Sequence, residues 1–190
     1  MMSERSGRHD ELRVLSVCTH NRTRSVLMGA LLGAHLQECG VDAVVVTAGT
    51  GSEGLPAIDR AVRVLASRGI DVDHHRSRKI DAPLITGADL VITAEQQHVV
   101  SIAGRWPAAF SRTFTLPEIV SRAQVVGPRH GRSLDEWLSA LGEDRPEALA
   151  YLDATDVGDI ADPTGHSPLV WDECYARIDA LTRRLAEVLV

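Results

Sequence analysis

The chain has 190 residues, 44% of them hydrophobic and only 4% aromatic, so one domain with a core of Val, Leu, Ile and Ala is expected. A formal net charge of -6 argues against general binding to nucleic acid or to an anionic membrane surface. No stretch approaches the roughly 18 apolar residues of a membrane span. The polar residues 1–10 lack the apolar centre of a signal peptide, which predicts a disordered lead to a cytoplasmic protein.

The first structured stretch predicts a strand, a tight loop and a helix. An apolar strand from Leu12 to Val17 ends before Cys18, and Arg24 opens a helical pattern that runs to about Glu38. A helix N-terminus carries unpaired N–H groups and partial positive charge, so a loop over that end can surround a tetrahedral oxyanion. The Arg24 guanidinium suits two oxygens of a phosphate or arsenate, and the same positive field favours the Cys18 thiolate. The stretch therefore predicts a nucleophile that faces a bound oxyanion.

The remaining elements predict an open parallel α/β sheet, because strands alternate with helical segments. The other predicted strands are Val41 to Ala48, Ala88 to Ala94 and Arg112 to Leu116. The predicted helices after the first are Pro56 to Arg68, Glu95 to about Ala103, one that begins at Pro117, Ser133 to Leu141 and Leu169 to Val188. The β-branched second strand is typical of a sheet covered on both faces. Ligands of such sheets bind at the carboxyl ends of strands, where Cys18 lies.

The glycines Gly49, Gly51 and Gly54 match the G-x-G-x-x-G template of dinucleotide-binding proteins, with Asp71 roughly 20 residues further on. Pro56 separates them from the next helix, however, so a flexible turn is the preferred interpretation.

The cysteines and histidines do not predict a metal site. Cys18, Cys39 and Cys174 are widely spaced and odd in number, which fits neither a disulfide framework nor a zinc site. His74 and His75 have no carboxylate or cysteine partners at ligand spacing, so a hydrogen-bonded structural role is preferred. Cys39 and Cys174 are interpreted as packing residues.

Cys18, the five residues after it and Arg24-Ser25, directly after a first strand, resemble the active-site loop of the low-molecular-weight protein tyrosine phosphatases. Further matches fall in family order. They are Thr47-Ala48-Gly49-Thr50, Asp59-Arg60-Ala61, His75-Arg76-Ser77-Arg78, Ala88 to Thr93, Arg112 to Leu116 and Asp162-Pro163. The resemblance covers about Leu12 to Leu185. It implies a three-layer α/β fold with a four-stranded parallel sheet flanked by helices. We expect one domain from 11 to 190, with an extended segment at about 123–153 that is longer than in the family and serves either as a substrate-facing elaboration or as extra packing.

The resemblance implies phosphoryl transfer in two steps through a phosphocysteine, without metal or organic cofactor. Cys18 would attack phosphorus, Arg24 and the loop amides would hold the oxygens, and Asp162 would serve as general acid and then base. The implied phosphate-binding loop comprises Thr19, His20, Asn21, Arg22, Thr23 and Ser25. The implied substrate is a phosphorylated protein or a small phosphomonoester, and the oligomeric state is left open.

Supporting roles for four residues also come from the resemblance. Ser25 is expected to donate to the Cys18 sulfur, and Asn21 is expected to hold a left-handed turn, which Asn tolerates better than most residues. Thr47 and His75 match the Ser and His that pin this Asn in the family.

The loop departs from the family pattern at His20, where Gly is common, and at Thr23, where a second Cys is common. Without that second thiol, less reversible protection of Cys18 against peroxide is expected. Arg22 replaces an apolar residue and either meets an acidic substrate or is a solvated charge. Thr164 and Gly165 stand where tyrosine-selective members carry aromatic residues, so the sequence supports phosphatase chemistry more strongly than selectivity for tyrosine.

Two alternatives remain open at this stage. The first is an arsenate reductase on the same fold, because His20-Asn21 follows the cysteine as it often does in those loops. No further cysteine lies between Cys39 and Cys174, so such a reductase would hand arsenic to a small thiol. The second is an inactive module that binds phosphorylated residues. Phosphoarginine and sugar-phosphate phosphatases also fit the missing aromatic wall.

Overall fold

The computed structural model describes residues 11–51, 53–148, 150–153 and 158–190. The predicted disordered lead, residues 1–10, lies outside the described residues. The strands are β1 (Leu12–Cys18), β2 (Ala43–Gly49), β3 (Leu90–Thr93) and β4 (Thr113–Thr115). The helices are α1 (Arg24–Glu38), α2 (Asp59–Ala66), α3 (Ala82–Thr86), α4 (Gln96–Arg105), α5 (Leu116–Val126), α6 (Leu134–Leu141) and α7 (Pro168–Val188). Short 3-10 helices span Pro107–Arg112 and Tyr151–Asp153.

The four strands form one parallel sheet in the order β2-β1-β3-β4. This confirms the predicted α/β architecture. Alternate residues of β1 point to opposite faces, so Val14 packs against the core under α1 and α7, whereas Leu15 and Val17 pack on the side of α3 and α4. The sheet therefore lies between two helical layers, and β1 with its terminal Cys18 is an interior strand.

Three details differ from the expectations. β2 is an edge strand rather than a strand buried on both faces, and Val44 is 38% exposed. α2 begins at Asp59 rather than at Pro56, because the N–H of Ile58 bonds the Arg22 carbonyl at 2.9 Å and Ile58 is held in an extended conformation before the helix. α3 was not predicted, since five residues capped by the Asp81 side chain are too few to show a period.

The extended segment at about 123–153 begins in the last turn of α5, and its later residues pack against β4 and the first turn of α5. The Arg145 side chain is 3% exposed and bonds Glu118, and its guanidinium lies 4.1 Å from the centre of the Phe114 ring and 4.2 Å from that of Phe110. Tyr151, fully buried, bonds the same Glu118 carboxylate. A buried carboxylate is stable only when its oxygens are paired in this way, so the segment is fastened to the body of the domain.

Candidate active site

The C-terminus of β1 and the N-terminus of α1 are joined by a loop of five residues around the Cys18 sulfur. Cys18 is 3% exposed, and its Sγ accepts a hydrogen bond from the Asn21 N–H at 3.3 Å. The Ser25 Oγ, in the first turn of α1, lies 3.1 Å from the same sulfur. The sulfur therefore faces donors on the side of the helix N-terminus, where partial positive charge favours an anion.

Asn21 holds the loop in a left-handed turn, with φ of 51°. Its Nδ2 donates to Ser25 Oγ at 3.0 Å, and its Oδ1 accepts from the Arg78 backbone N–H at 3.0 Å. The carbonyl of Asn21 lies 2.7 Å from His75 Nε2. The buried side chain thus ties both ends of the turn to neighbouring elements and offsets the cost of the left-handed conformation.

Thr47 does not make the expected contact with Asn21. Within the described residues no hydrogen bond joins the two, and the Thr47 carbonyl instead accepts from Arg78 Nε at 2.8 Å. The resemblance assigned the contact with the Asn21 side chain to Thr47, but the Arg78 backbone N–H makes it. A backbone donor leaves no signal in the side-chain types of a sequence.

Gly49 lies directly beneath the loop and pairs with Cys18 across β1 and β2. A Cβ at this position would come within 2.6 Å of the Thr19 carbonyl oxygen and 2.9 Å of the Asn21 N. The glycine is required for this close approach, and α2 begins only at Asp59. These observations support the turn interpretation over a dinucleotide site.

Arg24 is 3% exposed and forms ion pairs with two carboxylates. Its Nη1 lies 2.7 Å from Glu95 Oε1, and its Nη2 lies 2.9 Å from Asp162 Oδ2. Nη1 also donates to the Ile160 carbonyl at 3.0 Å. Burial of Arg24 lowers its pKa, but the hydrogen bond with Glu95 and the charges of Asp162 and Glu95 outweigh burial and raise the pKa above the usual value.

Asp162 is brought to the loop by its ion pair with Arg24. Burial raises the pKa of Asp162, but hydrogen bonds from the Thr164 backbone and hydroxyl, together with Arg24, lower it below the ordinary value. In this arrangement Asp162 is a carboxylate. The Thr164 hydroxyl also approaches the Thr23 hydroxyl at 3.5 Å, which links the loop that carries Asp162 to the phosphate-binding loop.

The remaining predicted loop residues lie at the rim. His20 is exposed, whereas Thr19 is half-buried and its Oγ1 lies 3.0 Å from His98 Nε2. Arg22 Nε donates to the Pro56 carbonyl at 2.8 Å, so this side chain fastens the 53–58 loop. Cys174 lies behind Asp162, with Sγ 3.6 Å from the Ala161 carbonyl, and burial raises its pKa to about 11. That environment is typical of a packing thiol.

Two site residues were not singled out from the sequence, Glu95 and His98. Both lie at the start of α4, after the carboxyl end of β3. The only signal was their position, because parallel strands bring their carboxyl ends to one edge of the sheet.

The comparisons with known proteins agree with this geometry. The family model described as low molecular weight phosphotyrosine protein phosphatase matches residues 13–131. A protein-arginine-phosphatase from Geobacillus stearothermophilus is 33% identical over 183 residues, covering 93% of this chain and 95% of that protein. The probable low molecular weight protein-tyrosine-phosphatase EpsP of Ralstonia nicotianae is 36% identical over 107 residues, covering 56% of this chain and 71% of that protein.

Solved structures are similar over nearly the whole chain. The low molecular weight protein tyrosine phosphatase from T. tengcongensis aligns with a TM-score of 0.71 at 28% identity, covering 94% of this chain and 100% of that chain. The YwlE mutant from Bacillus subtilis aligns with a TM-score of 0.70 at 25% identity, covering 93% and 97%.

Fold, loop and comparisons together define a cysteine-dependent phosphatase. The chain belongs to the low molecular weight phosphotyrosine protein phosphatase family. It is a hydrolase of this class, and the comparisons favour that activity over the arsenate reductase and the inactive binding module. Within the described residues, no helix is long and apolar enough to span a membrane.

Proposed function

We propose that Cys18, Arg24 and Asp162 carry out phosphoryl transfer in two steps, through a phosphocysteine. The observation that carries this assignment is the Cys18 sulfur at the base of the loop, with the Asn21 N–H and the Ser25 hydroxyl beside it. In the first step the thiolate forms an S–P bond while the bond from phosphorus to the leaving atom breaks. Asp162, protonated in the substrate complex, gives its proton to the leaving atom.

In the second step the Asp162 carboxylate takes a proton from water as that water attacks phosphorus. The S–P bond breaks, inorganic phosphate forms and the thiolate returns. The backbone amides of the loop and the Arg24 guanidinium hold the non-bridging oxygens in both steps, where charge redistributes in the transition state.

The substrate is proposed to be a phosphorylated protein side chain, with phosphoarginine preferred over phosphotyrosine. The family resemblance assigns Thr164, Gly165, Glu53 and Leu55 to the two rims of the site, and none of these residues offers an aromatic surface to a phenyl ring. Glu95 and Asp162 place two carboxylates beside Arg24. A guanidinium leaving group is a cation once protonated, so carboxylates at this position stabilise it. The relatives named protein-arginine-phosphatase support the same preference.

The test compares wild type, Cys18→Ser and Asp162→Asn on a phosphoarginine peptide, a phosphotyrosine peptide, para-nitrophenyl phosphate and arsenate. We expect turnover by wild type, none by Cys18→Ser, and a higher kcat/KM for the phosphoarginine peptide than for the phosphotyrosine peptide. Asp162→Asn should lose roughly two orders of magnitude on poor leaving groups and less on good ones. The exposed Asp135→Asn in α6 is the matched control and should match wild type.

Three outcomes would contradict the proposal. Arsenate-dependent thiol oxidation without phosphatase turnover would identify a reductase. A wild type no faster than Cys18→Ser would leave only binding. Equal losses for good and poor leaving groups would remove Asp162 from the acid role.

A further inference from the structure

Thr19 and Arg24, at the start and end of the phosphate-binding loop, are connected through two side chains of a different element. Thr19 Oγ1 lies 3.0 Å from His98 Nε2, and His98 Nε2 lies 3.6 Å from Glu95 Oε2. The other oxygen of the same carboxylate, Oε1, lies 2.7 Å from Arg24 Nη1. These four residues form a continuous polar path outside the loop itself, which we call the loop brace.

His98 is the central member of the loop brace and is almost fully enclosed, with 2% of its surface exposed. Its Nδ1 is buried and has no hydrogen-bond partner within the described residues. A buried polar atom without a partner costs free energy, so Nδ1 does not explain the orientation of the ring. The hydrogen bond between Nε2 and Thr19 Oγ1 explains it.

The hydrogen of the neutral ring is assigned from its surroundings. A carboxylate oxygen of Glu95 faces Nε2, which favours a hydrogen rather than a lone pair on that nitrogen. The Nε2–H then donates to Thr19 Oγ1. The pKa of His98 is lowered to about 4, and the main cause is burial of the ring. The charges of Glu95 and Asp162 raise this pKa and the charge of Arg24 lowers it, but burial outweighs them. The ring is therefore neutral near pH 7.

Neutrality of His98 matters for Arg24. A protonated imidazole would attract the Glu95 carboxylate and compete with the guanidinium for it. The neutral ring leaves that carboxylate paired with Arg24 and still supplies one donor to Thr19. The loop brace thereby connects Thr19 and Arg24, at the two ends of the loop, through residues at the N-terminus of α4.

We propose that His98 is a positioning residue that fixes the phosphate-binding loop through Thr19 and Glu95, so that the loop amides and Arg24 are preorganised for an oxyanion. This inference rests on the proposed function of the loop. Thr19 directly follows the nucleophile, and its carbonyl also accepts from the Gly51 N–H at 2.8 Å. Loss of the side-chain contact releases one of the bonds that orient Thr19, and small displacements in such a site are costly.

The test measures affinity for orthovanadate, kcat and KM for aryl phosphates of different leaving-group acidity, and the melting temperature. The variants are His98→Leu, His98→Gln, Thr19→Val and the double variant Thr19→Val/His98→Leu. His98→Gln keeps an N–H donor at a similar reach to Nε2. Ser101→Ala, exposed and one turn further along α4, is the control on the same helix.

We expect His98→Leu and Thr19→Val each to weaken vanadate binding and lower kcat by about tenfold, with the same factor for good and poor leaving groups. The double variant should be no worse than either single one, because both remove the same contact. His98→Gln should recover most of the loss, and Ser101→Ala should match wild type.

Several results would overturn the inference. These are additive losses in the double variant, a loss in His98→Gln equal to that in His98→Leu, or unchanged vanadate affinity in Thr19→Val. If His98→Leu does not fold, Thr19→Val and His98→Gln decide the question. Vanadate affinity is read without turnover, so a wild type that binds vanadate but hydrolyses nothing would refute the proposed function while the brace is still measured.

Discussion

Ser25 Oγ lies 3.1 Å from Cys18 Sγ and accepts a hydrogen bond from Asn21 Nδ2 at 3.0 Å. Because the amide already supplies a hydrogen to this oxygen, the hydroxyl hydrogen of Ser25 is directed to the sulfur. A hydrogen bond to a charged group, such as a thiolate, stabilises that group by about 1.5–3 kcal/mol. Asn21 therefore sets the direction in which Ser25 donates.

Replacement of Ser25 by Ala is expected to lower kcat by roughly 10-fold to 100-fold, because the thiolate that leaves phosphorus in the second step loses a donor. Rapid-mixing measurements with para-nitrophenyl phosphate should show a retained burst of nitrophenol before a slow steady rate. Ser67→Ala, an exposed hydroxyl at the end of α2, serves as the control. A steady rate equal to wild type would contradict the inferred direction of the hydrogen bond.

Bound oxyanion is expected to raise the pKa of Asp162. In the structure Thr164 and Arg24 hold that pKa below the ordinary value. An oxyanion in the loop adds negative charge nearby and takes up Arg24 donors, and both effects favour the protonated carboxyl that a general acid needs. Carboxyl carbon NMR titration with and without vanadate measures the change. An unchanged or lowered pKa of Asp162 in the vanadate complex would contradict this expectation.

His98 is expected to make the fold sensitive to acid. Its pKa is about 4 in the folded protein, against 6.5 for an unperturbed histidine, because burial penalises the charged ring. The unfolded chain therefore binds a proton at a higher pH than the folded chain. The contribution of neutral His98 to the free energy of unfolding is fully present above about pH 6.5. It is lost as the pH falls towards 4, and the loss is about 3 kcal/mol in all.

Urea unfolding of wild type and His98→Gln between pH 7 and pH 4 tests this sign. The variant should lose less free energy of unfolding over this interval than wild type. His74→Gln, which removes an exposed histidine, is the control. Parallel pH dependences for wild type and His98→Gln would show that the buried imidazole does not contribute.

Arg145→Met is expected to lower the free energy of unfolding by about 3–5 kcal/mol, since it removes the guanidinium that bonds both oxygens of the buried Glu118 carboxylate and also the carbonyls of Phe110 and Thr113. Arg122 and Tyr151 stay beside the carboxylate and do not replace these bonds. Arg183→Met removes a half-exposed arginine whose nearest carboxylate oxygen, on Glu38, is 3.6 Å away. That control should cost less than about 1 kcal/mol. Urea unfolding measures both. Equal costs would contradict the fastening role assigned to the 123–153 segment.

The sequence predicted the parts of the site whose chemistry is contiguous. Cys18, the loop and the start of α1 form a single strand, turn and helix, so residue types and spacing were sufficient to predict these elements. The roles of the individual loop residues came from the resemblance to a family and stay predictions. Asp162 lies 138 residues from Arg24, and only the resemblance to a family connected the two.

The missed and misassigned features depend on contacts between distant segments. Glu95 and His98 belong to no local motif, and His98 meets Thr19 across 79 residues. The backbone of Arg78 replaces Thr47 at Asn21, and residue types carry no signal for a backbone donor. The start of α2 was wrong by three residues because a bond to the Arg22 carbonyl overrides the preference of Pro56 for a first helical turn.

The close contact between Gly49 and the loop restricts which residue can stand at position 49. Only the absence of a side chain lets β2 approach the Thr19 carbonyl and the Asn21 N–H. A single methyl group at this position would press on the Thr19 carbonyl and on Asn21, so the loop would have to move. We therefore expect that Gly49→Ala abolishes activity by moving the candidate active-site loop and leaves the sheet and helices in place.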